Sequence, residues 1–304
     1  MLDARWLDSA EAAATASLDP AAHAAIAAHP EFHRLMRPWV ETWQVGEHDS
    51  AILARTLRDT GRFFIGLWAL YLHATPGGLT RGRLAEALQD SGLSGPGRVP
   101  SVLLFMRFIR YIEPASDIGD KRIQRYVPTA RMMEAFRARF RRDVATFWPA
   151  DPSLLRVGPA FDRDEVLDAY LGAMGEVTRI AMDRYRAVGA SLETISHRYG
   201  GMALLAELML SAPDVGTFPP TGPLNANLAS LARLSQISRA QVRSTLAATA
   251  QAGFLELLPN NQCRLTPQLT DHLKMLLAGS LIVSAYAGRR AADYIDRQDT
   301  ARSA

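Results

Sequence analysis

Arg239, Gln241, Arg243, Ser244 and Thr245 fall close together between Ser238, a residue type that caps helix N-termini, and Gly253, a type that ends helices. If Ser238 to Ala252 is a helix, Val242, Leu246 and Ala250 recur on one face at helical spacing, and the polar set is expected on the other. Arginine makes paired hydrogen bonds to the guanine edge and glutamine to the adenine edge in the DNA major groove, with Ser and Thr able to bond either bases or phosphates. Ser238, at the helix start, belongs to the same candidate set. Arg264, on a short strand beyond the helix, is a candidate phosphate contact.

A second cationic region lies between Leu79 and Arg142, where 13 basic residues face six acidic ones for a net charge of +7. Lys121, Arg122 and Arg125 sit where a β-hairpin would present them to phosphate or to a minor groove. Arg98 and Ser101 open the preceding helix and are the matching candidates for a groove. That helix (VPSVLLFMRFIRY) is otherwise apolar. Val99, Leu103 and Met106 are expected to be core, while Phe105 and Phe108 on another face would read bases poorly and are expected to be covered by N-terminal segments.

Other chemistries are less well supported. His23, His29 and His33 cluster, but no His-Glu-x-x-His pattern or cysteine partner accompanies them, and no metal or other cofactor is expected. Cys263, the single cysteine, excludes an internal disulfide and alternates with Leu265 as an inward-facing strand residue would. Neither a Gly-x-Ser-x-Gly elbow nor a Gly-x-x-x-x-Gly-Lys phosphate loop is present, and Gly92, Gly95 and Gly97 follow a helix instead of a strand. No enzymatic activity is expected.

These residues must be positioned by a folded chain. Its 304 residues, 48% hydrophobic and 21% charged, are enough for two globular domains and exclude disorder. Of 34 basic residues only Lys121 and Lys274 are lysine, and the formal net charge of +3 does not by itself imply a polyanion partner. The N-terminus carries Asp3, Asp8 and Glu11 where a secretory signal would be basic and then apolar. The greasiest stretches, Phe63 to Ala74 and Leu276 to Gly288, fall short of the roughly 18 apolar residues of a membrane span. A cytoplasmic protein with buried helices is expected.

The pattern predicts a mainly helical fold with small β-hairpins. Asn227 to Leu234 reads as a short helix, Ser235 to Ile237 as a tight turn, and Ser238 to Ala252 as a second helix closed by Gly253. Phe254 to Leu258 and Gln262 to Thr266 read as strands joined by Pro259, Asn260 and Asn261, with Pro267 opening a further helix. That order is a winged helix. It recurs earlier: Leu84, Ala85, Ser91, Leu93 and Ser94 align with Leu228, Ala229, Ser235, Ile237 and Ser238 at an offset of 144, and Val99, Leu103, Tyr111, Ile112 and Glu113 with their counterparts at 143. A longer wing loop (Pro114 to Lys121), a strand (Arg122 to Thr129) and a helix (Ala130 to about Phe147) would follow. Asp151, Pro152, Gly158 and Pro159 mark a boundary, and Asp162 to Val188 reads as a long connecting helix. Two domains are expected, residues 1–150 (core about 50–148) and 151–304 (core about 190–288).

The string LASLARLSQISRAQVRSTLAATAQAGFLEL, with Leu228, Ala229, Ser238, Gly253 and Phe254, resembles the winged helix-turn-helix of multiple-antibiotic-resistance-type (MarR-like) bacterial regulators. The resemblance covers Leu224 to about Leu277 well and Leu79 to about Arg142 more weakly, where Gly95, Pro96, Gly97 and Pro100 depart from it. It implies a transcriptional regulator that binds double-stranded DNA. Since such regulators are usually homodimers of chains about as long as the repeat spacing, it also implies either two fused copies acting as a monomeric pseudo-dimer or an ordinary homodimer. Trp39, Trp43, Trp68, Trp148, Phe63, Phe64 and Tyr71 are expected around the first domain, as core or as the lining of a site for a small apolar effector. The rival expectations are a protein-interaction scaffold whose winged helices have lost DNA binding, and a replication initiator with tandem winged helices.

Overall fold

The computed structural model describes residues 20–29, 32–44, 60–90, 98–116, 124–149, 151–152, 154–196, 198–213 and 217–303. The chain folds into two compact units that interleave in sequence. One holds Gly61–Asp183 with Leu281–Ala304, the other Pro20–Thr60 with Arg184–Ser280. Contiguous halves divided near residue 150 were the expectation; instead α1 (Pro20–Ala27) and α2 (Phe32–Glu41) belong to the unit that contains the C-terminal repeat. The fold is mainly helical with two small antiparallel sheets. Among the described residues no helix is long and apolar enough to cross a membrane.

In the first unit α3 (Thr60–Ala74) leads to β1 (Leu79–Thr80), α4 (Arg81–Asp90), α5 (Arg98–Phe108), β2 (Ile112–Pro114), β3 (Arg125–Pro128), α6 (Ala130–Phe147) and α7 (Leu154–Ala160). α6 matches its predicted span and is capped by Thr129, whose side chain accepts the Met132 N–H at 3.4 Å. The returning strand is shorter than predicted: it starts at Arg125, and residues 121–123 lie outside the described ones. α5 buries Val99, Leu103 and Met106 as its spacing predicts, and α6 buries Met132, Phe136, Phe140, Val144 and Phe147. Phe136 stacks on Phe63 at 6.1 Å, and Tyr170 receives the rings of Phe140 and Phe161 at 5.6 and 5.0 Å. Tyr170 lies on α8 (Asp164–Ser196), which begins where the connecting helix was predicted and runs further. Its buried Glu176 is compensated by the Tyr71 hydroxyl and by Arg179, each donating at 2.8 Å, which offsets the cost of burying a carboxylate.

The second unit is organised on α9 (Gly201–Leu210), a helix buried along most of its length. After it come β4 (Leu224–Asn225), α10 (Leu228–Leu234), α11 (Arg239–Gln251), β5 (Leu255–Leu258), β6 (Gln262–Leu265) and α12 (Pro267–Ser303), whose residues from Leu281 on belong to the first unit. α2 packs on α9: Arg37 donates to the Leu210 carbonyl at 3.2 Å, and Gln44 donates to Glu207 at 2.9 Å. Burial pushes the Glu207 carboxyl above the usual range. The sheet order is β4-β6-β5, the same as β1-β3-β2 in the first unit. β1 and β4 were not predicted, because a two-residue strand offers no alternation to read.

Gly200 and Gly201 hold the turn between α8 and α9. Gly200 has φ +73°, and a Cβ there would meet Ile237 Cγ2 at 2.4 Å; a Cβ on Gly201 would meet the Ile195 carbonyl oxygen at 1.8 Å. Ile237 is buried in the turn between α10 and α11, so the two turns interlock. Gly200→Ala and Gly201→Ala are each expected to destabilise the protein by about 1–3 kcal/mol or more, through strain at positive φ and overpacking. Urea denaturation of the two variants checks this, with a fall in midpoint at unchanged slope as the expected result.

Candidate nucleic-acid interface

The segment from α10 through the turn to α11 is set by local hydrogen bonds. Asn227 caps α10, its side chain accepting the Ala229 and Ser230 N–H groups at 3.0 Å each, so the helix starts one residue later than predicted. Gln236 takes φ +54° to reverse the chain, and the Ile237 N–H returns to the Ala232 carbonyl at 3.1 Å. Ser238 then caps α11 by accepting the Gln241 N–H at 3.1 Å. Gly253, at φ +80°, ends the segment that follows α11 as predicted.

α11 buries Val242, Thr245, Leu246 and Thr249. Its outer face exposes Arg239, Ala240, Arg243, Ser244 and Ala247, with Ser238 exposed at the cap and Gln241 half-buried. Thr245 is therefore not a groove-facing residue. At 1% exposure it lies on the inner stripe, three residues after Val242 and four before Thr249, and its carbonyl accepts the Thr249 hydroxyl at 2.8 Å. Thr249 takes the inner place expected of Ala250, which is half-buried. Beneath this face is an apolar recess of about one water molecule's volume, lined by Thr245, Leu246, Leu255 and Leu269 among others. It is too small for an organic effector.

Arg198, which the sequence did not single out, joins the outer face. Its Nη1 donates to Ser244 Oγ at 3.1 Å and its Nε to the Thr194 carbonyl at 3.1 Å, so the turn before α9 delivers a guanidinium to the exposed face that also carries Arg239 and Arg243. A span of 46 residues separates Arg198 from Ser244, and no local pattern joins them.

Hairpin β5/β6 turns through Asn260 and Asn261, both at positive φ (59° and 54°), a backbone conformation asparagine tolerates. Arg264 is paired across the ladder with Glu256, to which it donates at 3.3 Å, and remains partly exposed. Such an exposed pair is worth only about 0–1 kcal/mol, so Arg264 can exchange Glu256 for another anion. Cys263 is buried on the opposite side of the strand, as its alternation predicts, and burial pushes its thiol up to about 11.

In the first unit the equivalent surface differs. Ser101 is exposed on α5 and Arg125 on β3; the Arg98 side chain, Lys121 and Arg122 lie outside the described residues. Leu104 and Phe108, 66% and 84% exposed, occupy the outward face of α5, and Phe105 is half-buried, so Phe108 is not covered as expected. The net charge of +7 between Leu79 and Arg142 is partly spent inside the unit: Arg137 pairs with Asp164, Arg139 with Asp143 at 3.2 Å and Arg141 with Asp162 at 2.6 Å. All three aspartates lie beyond Arg142 in sequence.

The aromatic inventory is also divided. Trp39 and Trp43, in an edge-to-face pair at 4.9 Å, belong to the second unit, whereas Trp68 is buried in the first. His23 is buried, and among the described residues no group of three or more His, Cys, Asp or Glu side chains is placed to hold a metal. Comparison with family models, with curated proteins and with solved structures finds no match for the chain.

The environment of Cys263 has a direct consequence. With its thiol pushed up to about 11, the native protein should react with iodoacetamide at pH 8 on the order of a hundredfold more slowly than the urea-unfolded chain. Alkylation followed by mass spectrometry gives both rates; equal rates would mean that strand β6 does not protect the thiol.

Proposed function

We propose that the protein is a DNA-binding transcriptional regulator whose second unit is a winged helix-turn-helix, with α11 as the recognition helix and the β5/β6 hairpin as the wing. One observation carries this reading: α11 exposes Arg239 and Arg243 beside small residues Ala240, Ser244 and Ala247, while Val242, Leu246 and Thr249 are buried. Small residues allow the helix to approach base edges, and the two guanidinium groups supply donors for guanine. Arg198 adds a cation at the margin, and Arg264 on the wing adds another where the phosphate backbone would pass.

The shared strand order of the two sheets supports a tandem arrangement, either as a single-chain pseudo-dimer or as a homodimer using the second unit alone. A second reading, an adaptor that binds protein through one unit, is favoured specifically by Leu104 and Phe108 on α5. The two readings combine if DNA binding resides in α11 alone.

The decisive experiment is selection of a preferred duplex from random sequence by the full chain, followed by fluorescence anisotropy with variants. Arg239→Ala and Arg243→Ala are each expected to weaken the selected site by ~1–3 kcal/mol and to relax base preference at one position. Arg198→Ala should weaken selected and random DNA alike and lower the log–log salt slope by about one. Unchanged binding in all three variants removes α11 from the interface and leaves the adaptor reading. Footprinting with the mass of the complex separates an asymmetric site held by one chain from a palindrome held by two.

A further inference from the structure

The outward face of α5 is built for a different occupant than that of α11. Ser101, Leu104 and Phe108 fall on one stripe of an 11-residue helix, at the spacing that a second helix lying alongside would meet. Arginines border the Phe108 end. Arg107 is the adjacent exposed residue, Arg110 follows the helix at φ +57°, and Arg131 reaches over from α6 to donate Nη1 to the Ile109 carbonyl at 3.3 Å. Among the described residues none of these three pairs with a carboxylate, in contrast to Arg137, Arg139 and Arg141 further along α6. Glu113 and Glu134 are the exposed acids on the neighbouring elements.

We infer that this face of α5 is a docking surface for an acidic amphipathic helix of a partner protein. The partner would seat large apolar side chains, three or four residues apart, on Leu104 and Phe108, and would direct flanking carboxylates to Arg107, Arg110 and Arg131. Charge selects this occupant over a second copy, and the apolar pair selects it over DNA. A second copy docked through the same face would bring the same three arginines of each chain into one interface, a like-charge contact that opposes association. DNA offers base edges that need hydrogen-bond donors or acceptors, which Leu104 and Phe108 lack. Binding to a bilayer surface scales with the apolar area buried, of which two exposed side chains supply little. The inference does not depend on whether α11 binds DNA.

The test uses the full chain and a fluorescein-labelled synthetic 16-residue peptide. The peptide carries Leu, Trp and Leu at helical spacing with Glu and Asp on the flanks, and its control has Lys at every acidic position. Fluorescence anisotropy should show the acidic peptide binding about tenfold or more tightly than the lysine peptide, with Leu104→Ser and Phe108→Ser each weakening it by about tenfold or more. A triple variant, Arg107→Glu with Arg110→Glu and Arg131→Glu, should reverse the preference to the lysine peptide. That gain cannot come from a misfolded chain, so it keeps the test informative if a serine variant loses structure. Absence of binding, or equal binding of the two peptides, overturns the proposal. Self-association in sedimentation velocity that Phe108→Ser abolishes would assign the face to a second copy, and sedimentation with phosphatidylglycerol vesicles would assign it to a membrane. Peptide binding that appears only after deletion of residues 1–19 would assign it to that segment of the same chain.

Discussion

The contact of Ile237 with Gly200 is the constraint on which the second unit's surface depends. Ile237 is the one apolar side chain in a turn made otherwise of Ser235, Gln236 and the cap Ser238, and it is buried against a glycine at φ +73° where a β-carbon would meet its Cγ2 at 2.4 Å. The same glycine pair turns the chain from α8 into the buried helix α9, and just before it the turn sets Arg198 beside Ser244. Packing and polar presentation are thus coupled: the glycine against which the α10–α11 turn packs lies two residues from the arginine that extends the cationic face of α11.

The two units share the order of their sheet strands and differ in what the second helix of each pair offers. α11 combines an apolar inner stripe with cations and small residues outside; α5 is apolar inside and presents Leu104 and Phe108 outside. Exposed bulky apolar side chains cost solubility and contribute nothing to the unit's own core, so their pairing on one face of α5 marks that face as a candidate interface. The charge tells a similar story. The basic excess between Leu79 and Arg142 divides into arginines neutralised by Asp143, Asp162 and Asp164 and a smaller group around the end of α5 that keeps its field outward. A sum over sequence cannot separate those two groups.

Much of the second unit was legible because its signals are local. Ser238 acts as a cap since its side chain reaches an N–H three residues on; Gly253 and the pair Asn260 and Asn261 sit where φ is positive; Pro267 opens a helix where an N–H would be orphaned anyway. Thr245 was misread because its polarity argued outward while its phase, between Val242 and Thr249, argued inward. Phase prevails, since a threonine can be accommodated in a core at modest cost but a helix cannot rotate one residue out of its stripe.

What the amino-acid sequence determined by itself is the helical character, the Ser238 cap and the turns at Gly253 and Asn260–Asn261, the burial of Val99, Leu103 and Met106 on α5 and of Val242 and Leu246 on α11, and the inward placement of Cys263. All of these follow from hydrogen bonds and apolar periodicity within a few residues. Only the tertiary structure decided the division into interleaved units, the two-residue strands β1 and β4, the neutralisation of Arg137 and Arg141, and the arrival of Arg198 at α11. Each depends on partners far apart in the chain, chosen by how whole elements pack, and such pairings leave no periodic trace in either partner's own neighbourhood.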